Sequence, residues 1–200
     1  MNWTSNISPL IKEVELRKNP VIIRVNKFDE KSAKEFQDQM ALAHNTGQKV
    51  IPVIIDSYGG QVYSLMAMIS AIKHAELPVA TIVEGKAMSC GAVLLTFGEE
   101  GLRFADPNAT IMIHDVSSGA WGKIEELKAD VKEAERLDEK IFTMMSRNCG
   151  KKDDYFKKKV FAKKHADWFM DAAEAKKHGM VNQLRVPKLS IAIDVCIDLD

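Results

Sequence analysis

Short β-rich runs alternate with segments of helical periodicity through the first half of the chain, and this alternation narrows the choice of fold more than any other feature of the sequence. Residues 21–25 read as a strand. They are followed by a helix over about 31–44, in which Ala33, Phe36, Met40 and Ala43 recur every three or four residues and Gly47 stands where a C-terminal stop belongs. Residues 50–56 are apolar without a break up to Ile55, as a strand covered on both faces must be, with Pro52 removing one ladder donor. A helix over about 62–74 completes a β-α-β-α series, and such a series predicts an α/β fold on a mostly parallel sheet.

Further along, residues 79–83 read as a third strand, Ala92 to Leu95 as part of a buried helix that begins near Ser89, and 111–113 as a fourth strand. Residues 104–109 between them, with Asp106-Pro107-Asn108, read as a turn. Over about 123–148 the apolar positions Ile124, Leu127, Val131, Ala134, Leu137, Ile141 and Met145 hold one stripe. A helix of that length is about 40 Å long, more than a domain of this size needs for itself, so it is expected to project and pack against another subunit. Asp171 and Glu174 have the spacing of a capping box, and Gly179 closes the short helix they open. From Leu189 to Leu199 apolar and polar residues alternate, which predicts a strand with one covered face. No repeat or linker divides the chain, so residues 1–200 read as one domain, with a short N-terminal segment over 1–20 and a tail over 186–200.

Charge and cysteine content exclude several classes of function. The 28 basic and 28 acidic residues cancel, so no net field favours nucleic acid or an anionic membrane. Cys90, Cys149 and Cys196 are odd in number and widely spaced, which suits a reduced cytoplasm rather than a disulfide framework. No two histidines have metal-ligand spacing, and no metal or cofactor is expected. The N-terminus lacks a basic region followed by an apolar one, and no apolar run approaches the roughly 20 residues that span a bilayer.

Ser89 lies between a strand and a helix among small residues, in Glu84-Gly-Lys-Ala-Met-Ser-Cys-Gly91. There a hydroxyl is exposed and backbone N–H groups favour developing negative charge; a simple helix-capping serine fits the same segment. Gly59-Gly60 follows a strand and permits close backbone approach, as either an anion cradle or a tight turn. His114, at a strand end, could act as general base or be merely structural. The other histidines, His44, His74, His165 and His178, read as solvated surface residues. Cys90 is a rival nucleophile beside Ser89, and Lys86 a rival base.

Taken together, Asp56-Ser-Tyr-Gly-Gly-Gln61, Ala87-Met-Ser-Cys-Gly91 and Arg103-Phe-Ala-Asp-Pro-Asn-Ala-Thr-Ile-Met-Ile-His114 resemble the ClpP family of self-compartmentalised serine peptidases, in order and in separation. So does the segment from Asp167 to Val181. The resemblance implies a ClpP/crotonase-type fold with the long helix as a protruding handle, a triad of Ser89, His114 and Asp167, and an oxyanion hole from the backbone N–H groups of Gly60 and Cys90. Asp167 is selected by the resemblance alone, with Trp168 and Phe169 expected to shield its carboxylate. Ser118, Gly119, Ala120 and Trp121 match the glycine-rich strand that aligns substrate. The partners implied are unfolded polypeptide, copies of the chain in stacked heptameric rings, and a AAA+ unfoldase. Departures include Pro52 and Ile54 where aromatic residues commonly line the unfoldase pocket, and His165-Ala166 where an acidic-arginine pair commonly links the rings. A phage-type head-maturation protease of the same fold, an acyl-CoA hydratase or lyase on the crotonase fold, and a silent ring subunit are the alternatives.

Overall fold

The computed structural model describes residues 19–117, 119, 121–164 and 166–190. The expected N-terminal segment up to residue 18, Ser118, Ala120, His165 and the alternating tail from residue 191 lie outside them.

Strands β1 (Ile23–Val25), β2 (Ile51–Ser57) and β3 (Val79–Met88) are parallel neighbours, with helices α1 (Glu30–Ala43) and α2 (Val62–Lys73) as the crossovers. Asp29 fixes the start of α1 through a capping box: its carboxylate accepts from Ser32 N at 2.7 Å, and Ser32 Oγ accepts from Asp29 N at 2.9 Å. The face buried on the sheet is the one the spacing predicts, Ala33, Phe36, Met40 and Ala43. Pro52 is tolerated inside a central strand because of its position. Ile51 N–H donates on the β3 side, so the next residue faces β1, whose pairing starts only at Val53.

β3 is longer than residues 79–83. It continues to Met88 because it changes neighbour: Thr81–Val83 pair with β4 (Arg103–Ala105), and Lys86–Met88 pair with β5 (Thr110–Ile113). The expected turn at 104–109 is likewise corrected. Residues 103–105 are a strand bordered by β7 (Gln183–Leu184), and only the stretch after Ala105 turns. Strand β6 (Trp168–Asp171) runs antiparallel to β5 and completes a seven-stranded sheet that is otherwise parallel.

Helices α3 (Cys90–Leu95), α5 (Tyr155–Ala162) and α6 (Ala172–Lys177) are short, and Asp171 caps α6 by accepting from Glu174 N at 2.6 Å. Helix α4 (Ile124–Asn148) is the long one, and its apolar stripe splits in two. Leu137, Ile141, Phe142 and Met145 are buried against the body of the fold, whereas Ile124 and Val131 are 71% and 57% exposed. The buried end is anchored by Arg103, itself buried. Its Nη1 donates to the Asn148 carbonyl at 2.9 Å, placing a cation at the negative end of the helix. Asn182 Oδ1 holds that guanidinium from the other side, accepting from Arg103 Nε, Arg103 N and Gly101 N.

Candidate active site

Two strand ends and one ladder register build the site. Ser89 is the residue after β3, and its backbone has φ 51° and ψ −119°, a conformation non-glycine residues rarely adopt, at a cost of about 1–3 kcal/mol. It is held there from both sides, since Ser89 N donates to Met112 O at 2.8 Å and Ser89 O accepts from Val93 N at 3.1 Å. The side chain makes no capping bond to α3. Its Oγ instead lies 2.9 Å from Nε2 of His114, the residue immediately after β5. The β5–β6 ladder pairs Ile113 with Trp168, so the next rung sets His114 opposite Asp167. Asp167 Oδ1 stands 3.4 Å from His114 Nδ1. The three side chains therefore form a chain of contacts, with a carboxylate on one imidazole nitrogen and a hydroxyl on the other. Such an arrangement can move a proton off the serine while holding the imidazole in one tautomer.

The expected aromatic shield over Asp167 is absent. Strand alternation turns Trp168 inward and Phe169 outward, and the Asp167 side chain remains 51% exposed. Trp168 packs into the interior instead. Its Nε1 donates to Glu174 Oε1 at 3.1 Å and its ring meets His178 edge-on at 4.8 Å between centroids. His178 is thus no solvated surface residue. It hydrogen-bonds Tyr155 Oη at 2.7 Å through Nδ1, and burial lowers its pKa below the ordinary histidine value. Residues on three elements, α5, β6 and the end of α6, converge around the Trp168 ring in this way. Their separation along the chain hid the group from sequence reasoning.

The Gly59-Gly60 turn after β2 presses directly on the serine. A Cβ on Gly59 would sit 2.8 Å from Ser89 Cβ, and one on Gly60 would sit 2.4 Å from Phe28 O, while both residues have positive φ. Cys90 ties the two segments together, since its thiol donates to Gly60 O at 3.2 Å. The thiol is buried, and burial raises its pKa, which makes it a poor nucleophile. Iodoacetamide on the native protein is accordingly expected to leave Cys90 unmodified, as read by peptide mapping; rapid alkylation with loss of activity would reinstate the cysteine. Lys86 is engaged elsewhere. Its Nζ lies 2.9 Å from Asp56 Oδ1 and 4.5 Å from the centre of the Tyr58 ring, and the bond to Asp56 raises its pKa. A protonated, paired lysine cannot serve as base to Ser89. Of the glycine-rich segment, Gly119 and Trp121 are in irregular, exposed backbone. Among the described residues, no three His, Cys, Asp or Glu side chains gather as a metal site, and no helix is long and apolar enough to cross a membrane.

The Clp protease family model matches residues 10–187. The chain belongs to the Clp protease family. It is 29% identical over 184 residues to an ATP-dependent Clp protease proteolytic subunit of Bacteroides fragilis, a match covering 92% of this chain and 87% of that protein. The namesake from Bacteroides thetaiotaomicron is 30% identical over 92% of this chain and 82% of its own. That of Deinococcus radiodurans is 34% identical over 68% and 65%. The parallel sheet flanked by helices is the fold expected of a ClpP-type protease, and nothing in the Clp family match favours the acyl-CoA alternative.

Proposed function

We propose that this protein is a serine endopeptidase that cleaves unfolded polypeptides through an acyl-enzyme on Ser89. The observation that carries the reading is the contact of Ser89 Oγ with His114 Nε2 at 2.9 Å, backed by Asp167 on Nδ1. Ser89 Oγ attacks the scissile carbonyl as its proton passes to Nε2. Asp167 holds the Nδ1 proton and stabilises the imidazolium. The N–H groups of Gly60 and Cys90 receive the oxyanion; the close approach of the neighbouring Gly59 to Ser89 and the bond from the Cys90 thiol to Gly60 O support that role. His114 then protonates the leaving amine. Water, deprotonated by the same imidazole, releases the acyl group and restores the serine.

Substrate adds as an extended strand along residues 118–121. The peptidase forms one domain, works in the cytoplasm and assembles into two stacked heptameric rings that enclose the sites. The exposed half of the α4 stripe supports this assembly, because among the described residues nothing covers Ile124 and Val131. A AAA+ unfoldase feeds the chamber, in keeping with relatives named as ATP-dependent. The decisive experiment is labelling of the full-length protein with a fluorophosphonate, followed by peptide mapping. The adduct is expected on Ser89; an adduct elsewhere, or none, would overturn the assignment. Native mass spectrometry on the same sample reads the ring stoichiometry.

A further inference from the structure

One carboxylate beside the site takes no part in this chemistry. Asp138 lies on the buried face of α4, between Leu137 and Ile141 of the apolar stripe, with its side chain only 15% exposed. An apolar residue would be better suited to such a position, since burying a carboxylate carries a desolvation cost. Burial accordingly pushes the Asp138 pKa above the ordinary carboxylate value, and the Asp115 carboxylate adds to the rise. Its nearest cation, Lys157 Nζ on α5, is 3.9 Å away and closer to Glu139.

What the carboxylate does contact is backbone. Asp138 Oδ1 accepts from Val116 N at 3.0 Å. Val116 stands two residues after His114 and two before Ser118, in a stretch that pairs with no strand among the described residues. The same carboxylate lines both a cavity of about 50 Å³ shared with Ser89 and His114 and a groove of about 990 Å³ along α4. It therefore stands where the long helix, the catalytic histidine and the glycine-rich segment meet.

We propose that Asp138 is a positioning residue, whose bond to the Val116 amide sets the direction in which the chain leaves His114 and so presents the backbone of Asp115, Val116 and Ser117, which line the cavity beside Ser89, as an edge for a substrate peptide. The proposal rests on the serine-peptidase reading and adds to it the group that aligns the substrate. A clamp on a binding edge acts mainly on substrate affinity, while the bond between Ser89 and His114 is left in place.

The test compares D138A, D138N and D138L in the full chain on an extended fluorogenic peptide. D138A and D138L are expected to raise KM about tenfold with kcat changed less than about threefold, because neither offers an acceptor to Val116. D138N keeps a carbonyl oxygen and should return KM to within about twofold of the parent. In the unaltered protein the Val116 amide should exchange slowly with deuterium, a measurement that decides the matter even if a variant fails to fold. KM unchanged in D138A or D138L, D138N as defective as D138A, or a freely exchanging Val116 amide would each overturn the clamp. Fluorophosphonate labelling of the unaltered protein separates the two failures. Without a Ser89 adduct the peptidase reading falls, whereas an adduct together with an unmoved KM removes the clamp alone.

Discussion

Replacing either Ser89 or His114 by alanine is expected to lower kcat for peptide hydrolysis by about 10⁴-fold or more, and the double variant should be no slower than the worse single one. A 10⁴-fold loss corresponds to about 5.5 kcal/mol of transition-state stabilisation. The reason for non-additivity is geometric. Ser89 Oγ has its hydrogen-bond partner in His114 Nε2 at 2.9 Å and makes no capping bond, so without the imidazole the hydroxyl has no base, and without the hydroxyl the imidazole has no proton to take. Steady-state kinetics on the three variants, normalised to the fraction of Ser89 that a fluorophosphonate labels in the parent, would measure this. A His114 variant retaining more than a tenth of parental kcat would remove the histidine from the mechanism.

Gly60→Ala should be the next most damaging change, lowering kcat by about 10²- to 10³-fold, the range for losing one oxyanion donor. Gly60 has φ 150°, and an added Cβ would lie 2.4 Å from the Phe28 carbonyl oxygen and 3.1 Å from Phe28 Cβ. The carbonyl is not free to retreat, because it already accepts from Gln61 N at 2.8 Å. The Gly60 backbone must move instead, and its N–H moves with it. Gly47→Ala makes a suitable comparison. Gly47 also has positive φ, at 80°, but no atom lies within 4 Å of the Cβ it would gain. That variant should lose thermal stability and keep its kcat. Equal kcat losses in both would attribute the Gly60 effect to general destabilisation, not to the oxyanion hole.

The parts of this protein that could be read from sequence are those fixed by local chemistry. Four apolar residues at helical spacing marked the buried face of α1, and an unbroken apolar run marked β2 as a strand covered on both faces. What could not be read depends on partners distant in the chain. β3 extends past Val83 into the polar stretch Glu84-Gly85-Lys86 because β5 pairs with its far half, and β4 is a strand because β3 and β7 flank it. The candidate site divides the same way. Ser89 and the glycine pair sit at turns with a local signature. Asp167, one carboxylate among the 28 acidic residues, is singled out in the sequence by family resemblance alone, and the β5–β6 register is the physical fact that brings it opposite His114. In the sequence His178 reads as a surface residue, because helical periodicity gives no sign of Tyr155 and Trp168, which enclose it.

The change of neighbour along β3 divides the groups proposed to react between two pieces of framework. The hydroxyl and the glycine turn belong to the ends of β3 and β2, while the imidazole and the carboxylate belong to the β5–β6 pair. Three rungs join the two pieces, Lys86 with Thr110, Ala87 with Ile111 and Met88 with Met112, followed by the bond from Ser89 N to Met112 O. A slip of one residue along those rungs would displace His114 by about 3.3 Å and turn its side chain to the opposite face. Competence of the proposed triad therefore depends on the alignment of two pieces of framework, which those three rungs and one further bond hold in register.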